Sequence, residues 1–163
     1  MKLYVVRHAT ASRKNTWRKD DDLRPLTRAG RRRFRRAAEA LVRADALELD
    51  LIVTSPLTRA VQTAAILGKT LASPVPVIED RRLGHSFNAA DLGAILHENR
   101  RARAIAIVGH NPSLCEVLAQ ITDGGDLDLR KGAIALVDVV DREPPRGRLL
   151  WLAPPSLFDP PAT

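Results

Sequence analysis

The stretch Ala104–Pro112, AIAIVGHNP, decides the fold class of this chain. Its first five residues form a continuous apolar run, as expected of a strand that is buried on both faces. Gly109-His110 ends the run, and Asn111-Pro112 then predicts a helix start, because asparagine caps helices and proline suits their first turn. A buried strand followed at once by a helix is typical of parallel βαβ units, so the stretch predicts an α/β fold.

The same alternation predicts the rest of the architecture. Leu3–Val6 and Leu49–Thr54 have the composition of buried strands, and Ser55-Pro56 after the second strand predicts another helix start. We therefore expect a three-layer sandwich, with helices on both faces of a mainly parallel central sheet. The other predicted elements are a helix from its cap at Thr27 to about Arg43, a peripheral strand at Val75–Ile78, a helix near Ala89–Glu98 and a hairpin of Ala133–Val140 with Arg148–Leu152.

Length and composition limit the class of protein. The 163 residues suit one domain, which we predict over residues 1–153, followed by an irregular proline-rich tail over residues 154–163. With 45% apolar and 28% charged residues, the chain is neither disordered nor fibrous. No apolar run approaches the roughly 20 residues of a membrane span. The single cysteine, Cys115, cannot form an internal disulfide, so we expect a reduced, cytoplasmic protein without membrane association.

A formal net charge of +7 favours anionic partners. Much of the excess lies in the run Arg31–Arg36, which we interpret as the solvated face of a helix. Binding of nucleic acid is disfavoured, because the run lacks the interleaved aromatic residues that stack on bases.

The predicted strand ends carry unusual side chains. Ligands of such sheets bind beyond the carboxyl ends of the strands. One strand ends in Arg7-His8, another leads through Ser55 to Arg59, and a third ends before His110. Two imidazoles and two guanidiniums at one sheet edge, together with helix N-termini, describe a pocket for a dianionic group, most simply a phosphoryl group.

The motifs around these residues resemble those of the histidine phosphatase superfamily. Val6-Arg7-His8-Ala9 is similar to its Arg-His-Gly signature, with alanine in the glycine position. Ser55–Thr63 resembles its second arginine motif, and Val108–Pro112 its second histidine motif. Arg24–Thr27 and Lys131-Gly132 resemble the compact SixA-type phosphohistidine phosphatases. The resemblance covers about residues 2–152 and implies a phosphoglycerate-mutase-like fold.

The resemblance also implies roles for the four residues. His8 would be the nucleophile that carries the phosphoryl group, with its second ring nitrogen oriented by a backbone carbonyl. Arg7 and Arg59 would bind the equatorial phosphoryl oxygens, and His110, protonated when phosphate is bound, would be the fourth donor. No metal and no cofactor would be required.

The general acid of the wider family has no counterpart in the expected stretch, 82–86. We leave Glu79, Asp80, His85, a carboxylate among Asp20–Asp22, or no acid at all as the alternatives. A missing acid favours phosphohistidine or phosphoanhydride substrates, because their leaving groups depart more readily than an alkoxide.

Three functions follow in order of preference. The first is a protein phosphohistidine phosphatase, whose partner is a phosphorylated protein. The second is a phosphatase of nucleotides, polyphosphates or phosphomonoesters, with a small phosphorylated substrate. The third is a phosphate-binding protein without catalytic activity.

Overall fold

A computed structural model describes residues 1–161, which form a six-stranded mixed sheet. The strand order is β3-β2-β4-β1-β5-β6; the first four strands are parallel, and β5 and β6 are antiparallel. The strands are β1 Lys2–Arg7, β2 Leu51–Thr54, β3 Val77–Glu79, β4 Ala104–Gly109, β5 Ile134–Arg142 and β6 Pro145–Ala153. The predicted α/β fold with a mainly parallel sheet is confirmed, and β3 lies at the sheet edge as expected.

Helices cover both faces of this sheet. On one face, Phe34 and Leu67 pack in a core with Tyr4 of β1. On the other face, Leu96 and Leu118 lie in a separate core, together with the strand side chains that point to that face of the sheet. The three-layer prediction is therefore confirmed. The α-helices are α1 Arg28–Arg43, α2 Thr58–Thr70, α3 Ala89–Glu98 and α4 Ser113–Thr122, and short 3-10 helices occupy Lys14–Thr16, Asp21–Leu23, Arg81–Leu83 and Pro155–Phe158.

Helix α1 begins as predicted and lies close to the segment that follows β1. The Thr27 hydroxyl accepts a hydrogen bond from the Gly30 amide at 2.9 Å, which caps the helix. A Cβ at Gly30 would collide with the backbone carbonyl of Thr10. The absence of a side chain at Gly30 thus lets α1 contact the backbone just beyond His8.

The predicted starts of α2 and α4 were wrong by two residues and by one residue, respectively. Helix α2 begins at Thr58, and the Ser55 hydroxyl accepts instead from the Leu57 amide at 3.3 Å, in the turn before the helix. Helix α4 begins at Ser113, and Asn111 donates from Nδ2 to the Leu129 carbonyl at 3.1 Å rather than capping it. The side chains of Ser55 and Asn111 therefore form hydrogen bonds in the two turns between strand and helix, where the candidate site lies.

The C-terminal region is more regular than predicted. The hairpin extends to Arg142 and Pro145, beyond the expected strand ends. In the tail, Pro155–Phe158 form a 3-10 helix against α1, so the expectation of an irregular segment was wrong there. Residues 162–163 of the tail lie outside the described residues, and the domain limit at residue 153 stays a prediction.

None of the helices in residues 1–161 combines the length and apolar character needed to cross a membrane. The cytoplasmic location stays a prediction.

Candidate active site

The sheet places the two histidines side by side. Strands β1 and β4 pair in parallel with Arg7 opposite Gly109, so the next residue of each chain segment is a histidine. The ring centroids of His8 and His110 are 5.1 Å apart. Because adjacent strands have a fixed spacing, the pairing of β1 with β4 sets this distance.

His8 is held as a neutral imidazole with one nitrogen free. Its Nδ1 donates to the carbonyl of Ala9 at 2.7 Å, so the proton lies on Nδ1 and Nε2 keeps its lone pair. Burial lowers the pKa of His8 to about 4, against the hydrogen bond to Ala9, and the charges of Arg59 and Arg7 lower this pKa further. The expected backbone carbonyl is therefore that of Ala9.

His110 is neutral for a similar reason. Burial lowers its pKa to about 3, and His8 and Arg59 add to the effect. Its Nε2 lies 2.8 Å from the hydroxyl oxygen of the fully buried Ser55. That oxygen already accepts from the Leu57 amide, so its own proton is free to point at Nε2. The proton of neutral His110 then lies on Nδ1, which is buried without a hydrogen-bond partner.

Both arginines of the motifs retain unused donors. Arg59 is 4% exposed, and burial lowers its pKa below its usual range. Its Nη1 donates to the backbone carbonyl of Asp21 at 2.8 Å, while Arg7 donates from Nη1 to that of Leu129 at 3.0 Å. The Nε atoms of Arg7 and Arg59 are buried and unpartnered. Guanidiniums with free N–H groups near two histidines are suited to bind an oxyanion.

Thr63 connects the second arginine to the first histidine. Its hydroxyl donates to the Arg59 carbonyl at 2.7 Å and accepts from the Ala9 amide at 3.1 Å. Sequence reasoning missed Thr63 and Ser55 as positioning residues. The signal was present, since both hydroxyls lie within the motif Ser55–Thr63 and a buried hydroxyl needs partners.

The loop around the 3-10 helix Asp21–Leu23 covers Arg59. Asp21 Oδ2 lies 3.3 Å from Arg59 Nη2, and Asp21 Oδ1 accepts from Arg24 Nε at 2.8 Å. The Arg24 hydrogen bond lowers the pKa of Asp21, with the charge of Arg59 adding to the effect. Arg24 is close enough that its charge also lowers the pKa of His8. The contacts between Asp21 and Arg59 join residues 38 positions apart, and no local pattern in the sequence predicted them.

The candidate proton donors differ in their contacts with neighbouring residues. Asp80 is bound by Arg82 at 2.6 Å, and Asp21 by Arg24 and Arg59, so both carboxylates are already engaged. The His85 ring stacks over His110 at a centroid distance of 6.2 Å, and its Nε2 lies 3.3 Å from Asp22 Oδ1.

Glu79 and Asp20 are two further candidates for the proton donor. Glu79 is exposed at the end of the edge strand β3, and Asp20 accepts from the Asp22 amide as the cap of the 3-10 helix. Among the candidates, His85 is thus the group that stacks on a site histidine.

Possible metal ligands do not cluster in the described part of the chain. Within residues 1–161, no group of three or more histidine, cysteine, aspartate or glutamate side chains is arranged to hold a metal ion.

Comparison with known sequences identifies a family match. The family model of the histidine phosphatase superfamily (branch 1) matches residues 3–87. An uncharacterized protein of Picosynechococcus sp. (strain ATCC 27264 / PCC 7002 / PR-6) is 34% identical over 142 residues, which cover 82% of this chain and 82% of that protein.

Solved structures share the fold at lower identity. The protein histidine phosphatase SixA in complex with tungstate superposes with a TM-score of 0.85 at 24% identity, covering 98% of this chain and 100% of that one. The alpha-ribazole phosphatase from Shigella flexneri superposes with a TM-score of 0.71 at 18% identity, covering 95% and 97%. The TM-scores show a common fold, and at these identities they show the fold alone, which proteins with different substrates share.

Proposed function

The chain belongs to the histidine phosphatase superfamily (branch 1), and from that premise we propose that it is a metal-independent phosphatase acting through a phosphohistidine intermediate on His8. Phosphatase activity is supported by the family itself. The assignment of His8 rests on one observation. Its imidazole is buried and neutral, and its Nδ1 proton is held in a hydrogen bond to the Ala9 carbonyl. The centroid of its ring lies 5.1 Å from that of the His110 ring.

The first step transfers the phosphoryl group to the chain. The lone pair of His8 Nε2 attacks phosphorus in line with the leaving group and forms the N–P bond. The bond from phosphorus to the leaving group breaks, and the leaving atom takes the electron pair. In the second step a water oxygen attacks phosphorus, the N–P bond breaks, and its electron pair returns to Nε2 as inorganic phosphate leaves.

Charge in the transition state would be offset by groups that are already in place. The unpartnered N–H groups of Arg7 and Arg59 would donate to equatorial oxygens, with the Nδ1 proton of His110 as a further donor. A bound dianion would raise the low pKa of His110, which favours the protonated form expected from the family resemblance.

We propose protein phosphohistidine as the substrate. The leaving group of a phosphohistidine is an imidazole, which departs without the strong acid that an alkoxide requires. Asp21 and Asp80, two of the carboxylates that could have served, are bound to arginines, and this supports a substrate with an easy leaving group. The phosphorylated protein would be the partner of this chain.

A second candidate is a phosphatase of small phosphate esters. The position of His85 favours it, because an imidazole beside His110 that is hydrogen-bonded to Asp22 could protonate a departing alkoxide. The two candidates separate in a rate comparison on a phosphohistidine protein, a nucleoside diphosphate and a sugar phosphate. A kcat/KM for the sugar phosphate equal to or above that for the phosphohistidine protein would replace the first candidate by the second.

The intermediate is tested by trapping. After brief incubation with a phosphoryl donor, the wild-type chain should carry acid-labile phosphate and His8→Ala should carry none. His97→Ala, at an exposed histidine on α3, is the matched control and should label like the wild type. Label on neither the wild type nor the control would favour a phosphate-binding protein without catalysis.

A further inference from the structure

A cavity of about 310 Å³ shares Arg7 with the candidate active site. Neither site histidine lines it, so the cavity is a separate space that has the residue Arg7 in common with the candidate active site. Its volume is in the range of small-ligand pockets. The polar residues of its wall are Arg7, Thr10, Arg33, Arg130, Lys131 and Ser156.

The wall of this cavity is cationic. It contains four basic side chains and no carboxylate. Arg33 is bound to Asp159 of the tail, which offsets its charge. Arg130 contacts Asp128 at 2.8 Å, but both side chains are 69% exposed, and such a pair is weak. Lys131 has no ion pair or side-chain hydrogen bond to any described residue.

The backbone fixes Lys131 relative to the catalytic segment. The Gly132 amide lies 3.1 Å from the carbonyl oxygens of both Arg7 and His8 and donates to them. Gly132 has a φ of +77°, which glycine adopts without strain. The turn that carries Lys131 is thereby tied to the strand end that carries the proposed nucleophile.

We propose that this cavity binds a second oxyanion of the substrate, next to the phosphoryl group that Arg7, His8, Arg59 and His110 hold. The proposal rests on the proposed function, since it takes that pocket as the phosphoryl site. Lys131 and Arg130 would supply the charge and the hydroxyls of Thr10 and Ser156 further donors. The second oxyanion is a phosphate of a phosphoanhydride or a carboxylate beside a phosphohistidine; both are recognised by the same cationic donors.

Substrate analogues that cannot be hydrolysed test the cavity by binding alone. Methylphosphonate offers one oxyanion, methylenediphosphonate adds a second phosphonate, and phosphonoacetate adds a carboxylate. Calorimetric titration of the wild-type chain should show a Kd for at least one of the two bifunctional ligands that is about tenfold below that of methylphosphonate. Tighter binding of the diphosphonate alone indicates a phosphate, and tighter binding of phosphonoacetate indicates a carboxylate.

Two variants locate the effect. In Lys131→Ala, and in Lys131→Ala/Arg130→Ala, the Kd of methylphosphonate divided by the Kd of the bifunctional ligand should fall from about ten toward one. Arg146→Ala, at an exposed arginine of β6, is the matched control and should keep the wild-type ratio. Equal Kd values for all ligands in the wild type, or an advantage that survives in the Lys131 variants, would overturn the proposal.

This test separates the cavity from the activity. Binding is read without turnover, while hydrolysis of a phosphohistidine protein and of an aryl phosphate by the wild-type chain is measured in parallel assays, and absence of hydrolysis means that neither substrate is cleaved. Absence of hydrolysis with an intact binding advantage would refute the proposed function and retain the cavity. Hydrolysis together with equal Kd values for the one-anion and two-anion ligands would support the proposed function and refute the second oxyanion site.

Discussion

The guanidiniums of Arg59 and Arg82 lie in two regions of the molecule and differ in hydrogen bonding, in burial and in the direction of their pKa shifts. Arg82 donates to both oxygens of Asp80 and to both of Glu98 over 2.6–3.1 Å, and these hydrogen bonds raise its pKa. Arg59 is buried, its ion contact with Asp21 is 3.3 Å, its Nε has no partner, and burial lowers its pKa.

We interpret Arg82 as a structural arginine and Arg59 as one whose donors remain available to a ligand. A guanidinium whose donors are filled by the protein has nothing to offer a ligand, and it joins elements of the fold. A buried guanidinium with unused donors is costly for the folded chain, and this cost is offset when an anion binds. The unsatisfied region is therefore the one in which ligand chemistry is expected.

Removing Arg59 should give the largest contrast between the regions. We expect Arg59→Ala to lower kcat/KM about 10²- to 10³-fold, as for the loss of one preorganised donor to a transition state. The Tm should stay unchanged or rise, because a poorly partnered buried charge is removed. Steady-state kinetics and thermal unfolding measure both effects, and near-wild-type turnover would remove Arg59 from the site.

The two buried histidines should make the active-site region sensitive to acid. Their pKa values of about 4 and about 3 are below the ordinary 6.5, so between these values the unfolded chain binds more protons than the folded one. The free energy of unfolding should therefore fall as the pH drops below 6.5. For His8 the loss between pH 7 and pH 4.5 should be about 2 kcal/mol.

Urea unfolding at these two pH values measures that loss in the wild type and in His8→Gln. The acid protonation of carboxylates such as Asp80 and Glu98 is common to both chains and cancels in the difference. The same pH dependence in both chains would contradict the low pKa of His8.

Arg82→Ala should affect stability and spare activity. The ion pairs of Arg82 with Asp80 and Glu98 are screened by water, because the Arg82 side chain is 31% exposed. We therefore expect a loss of about 1 kcal/mol in the free energy of unfolding. Turnover should remain within about twofold, because no ligand contact is assigned to Arg82. A loss of activity as large as that of Arg59→Ala would break the distinction between the two arginines.

Asp21→Asn should give the smallest change. Asp21 Oδ2 lies 3.3 Å from Arg59 Nη2 and would compete with an anionic substrate for this guanidinium. Because the Asp21 carboxylate is partly exposed, we expect removal of its charge to lower KM by only about two- to fivefold. Glu48→Gln, in the ion pair with Lys2, is the matched control, with no expected change. An increase in KM would show that Asp21 positions Arg59 rather than competing for it.

The sequence was informative where local patterns decide the structure. Apolar runs located the strands of the parallel core, and the hydroxyl of Thr27 correctly indicated the start of α1. The strand ends were sufficient to place Arg7, His8 and His110 at one edge, because parallel strands end on the same side of a sheet.

Contacts between distant residues could not be predicted in this way. The capping pattern at Ser55 and Asn111 suggested helix starts, but the Ser55 side chain bonds His110 and that of Asn111 bonds Leu129. The contact of Asp21 with Arg59 and the packing of the tail on α1 arise from tertiary structure, and capping or periodicity carries no signal for them. Local propensity is overridden at these points because a buried polar group needs a partner wherever the fold supplies one.

The pairing of Arg7 with Gly109 has a consequence for how related enzymes can diversify. Because the distance between the two imidazoles is a property of neighbouring backbones in the sheet, the surrounding loops do not determine it. The loops that contain Asp21, His85 and Lys131 can thus change in length and charge while the two histidines keep their spacing. Selection for activity on a new phosphorylated compound can therefore act on these loops alone.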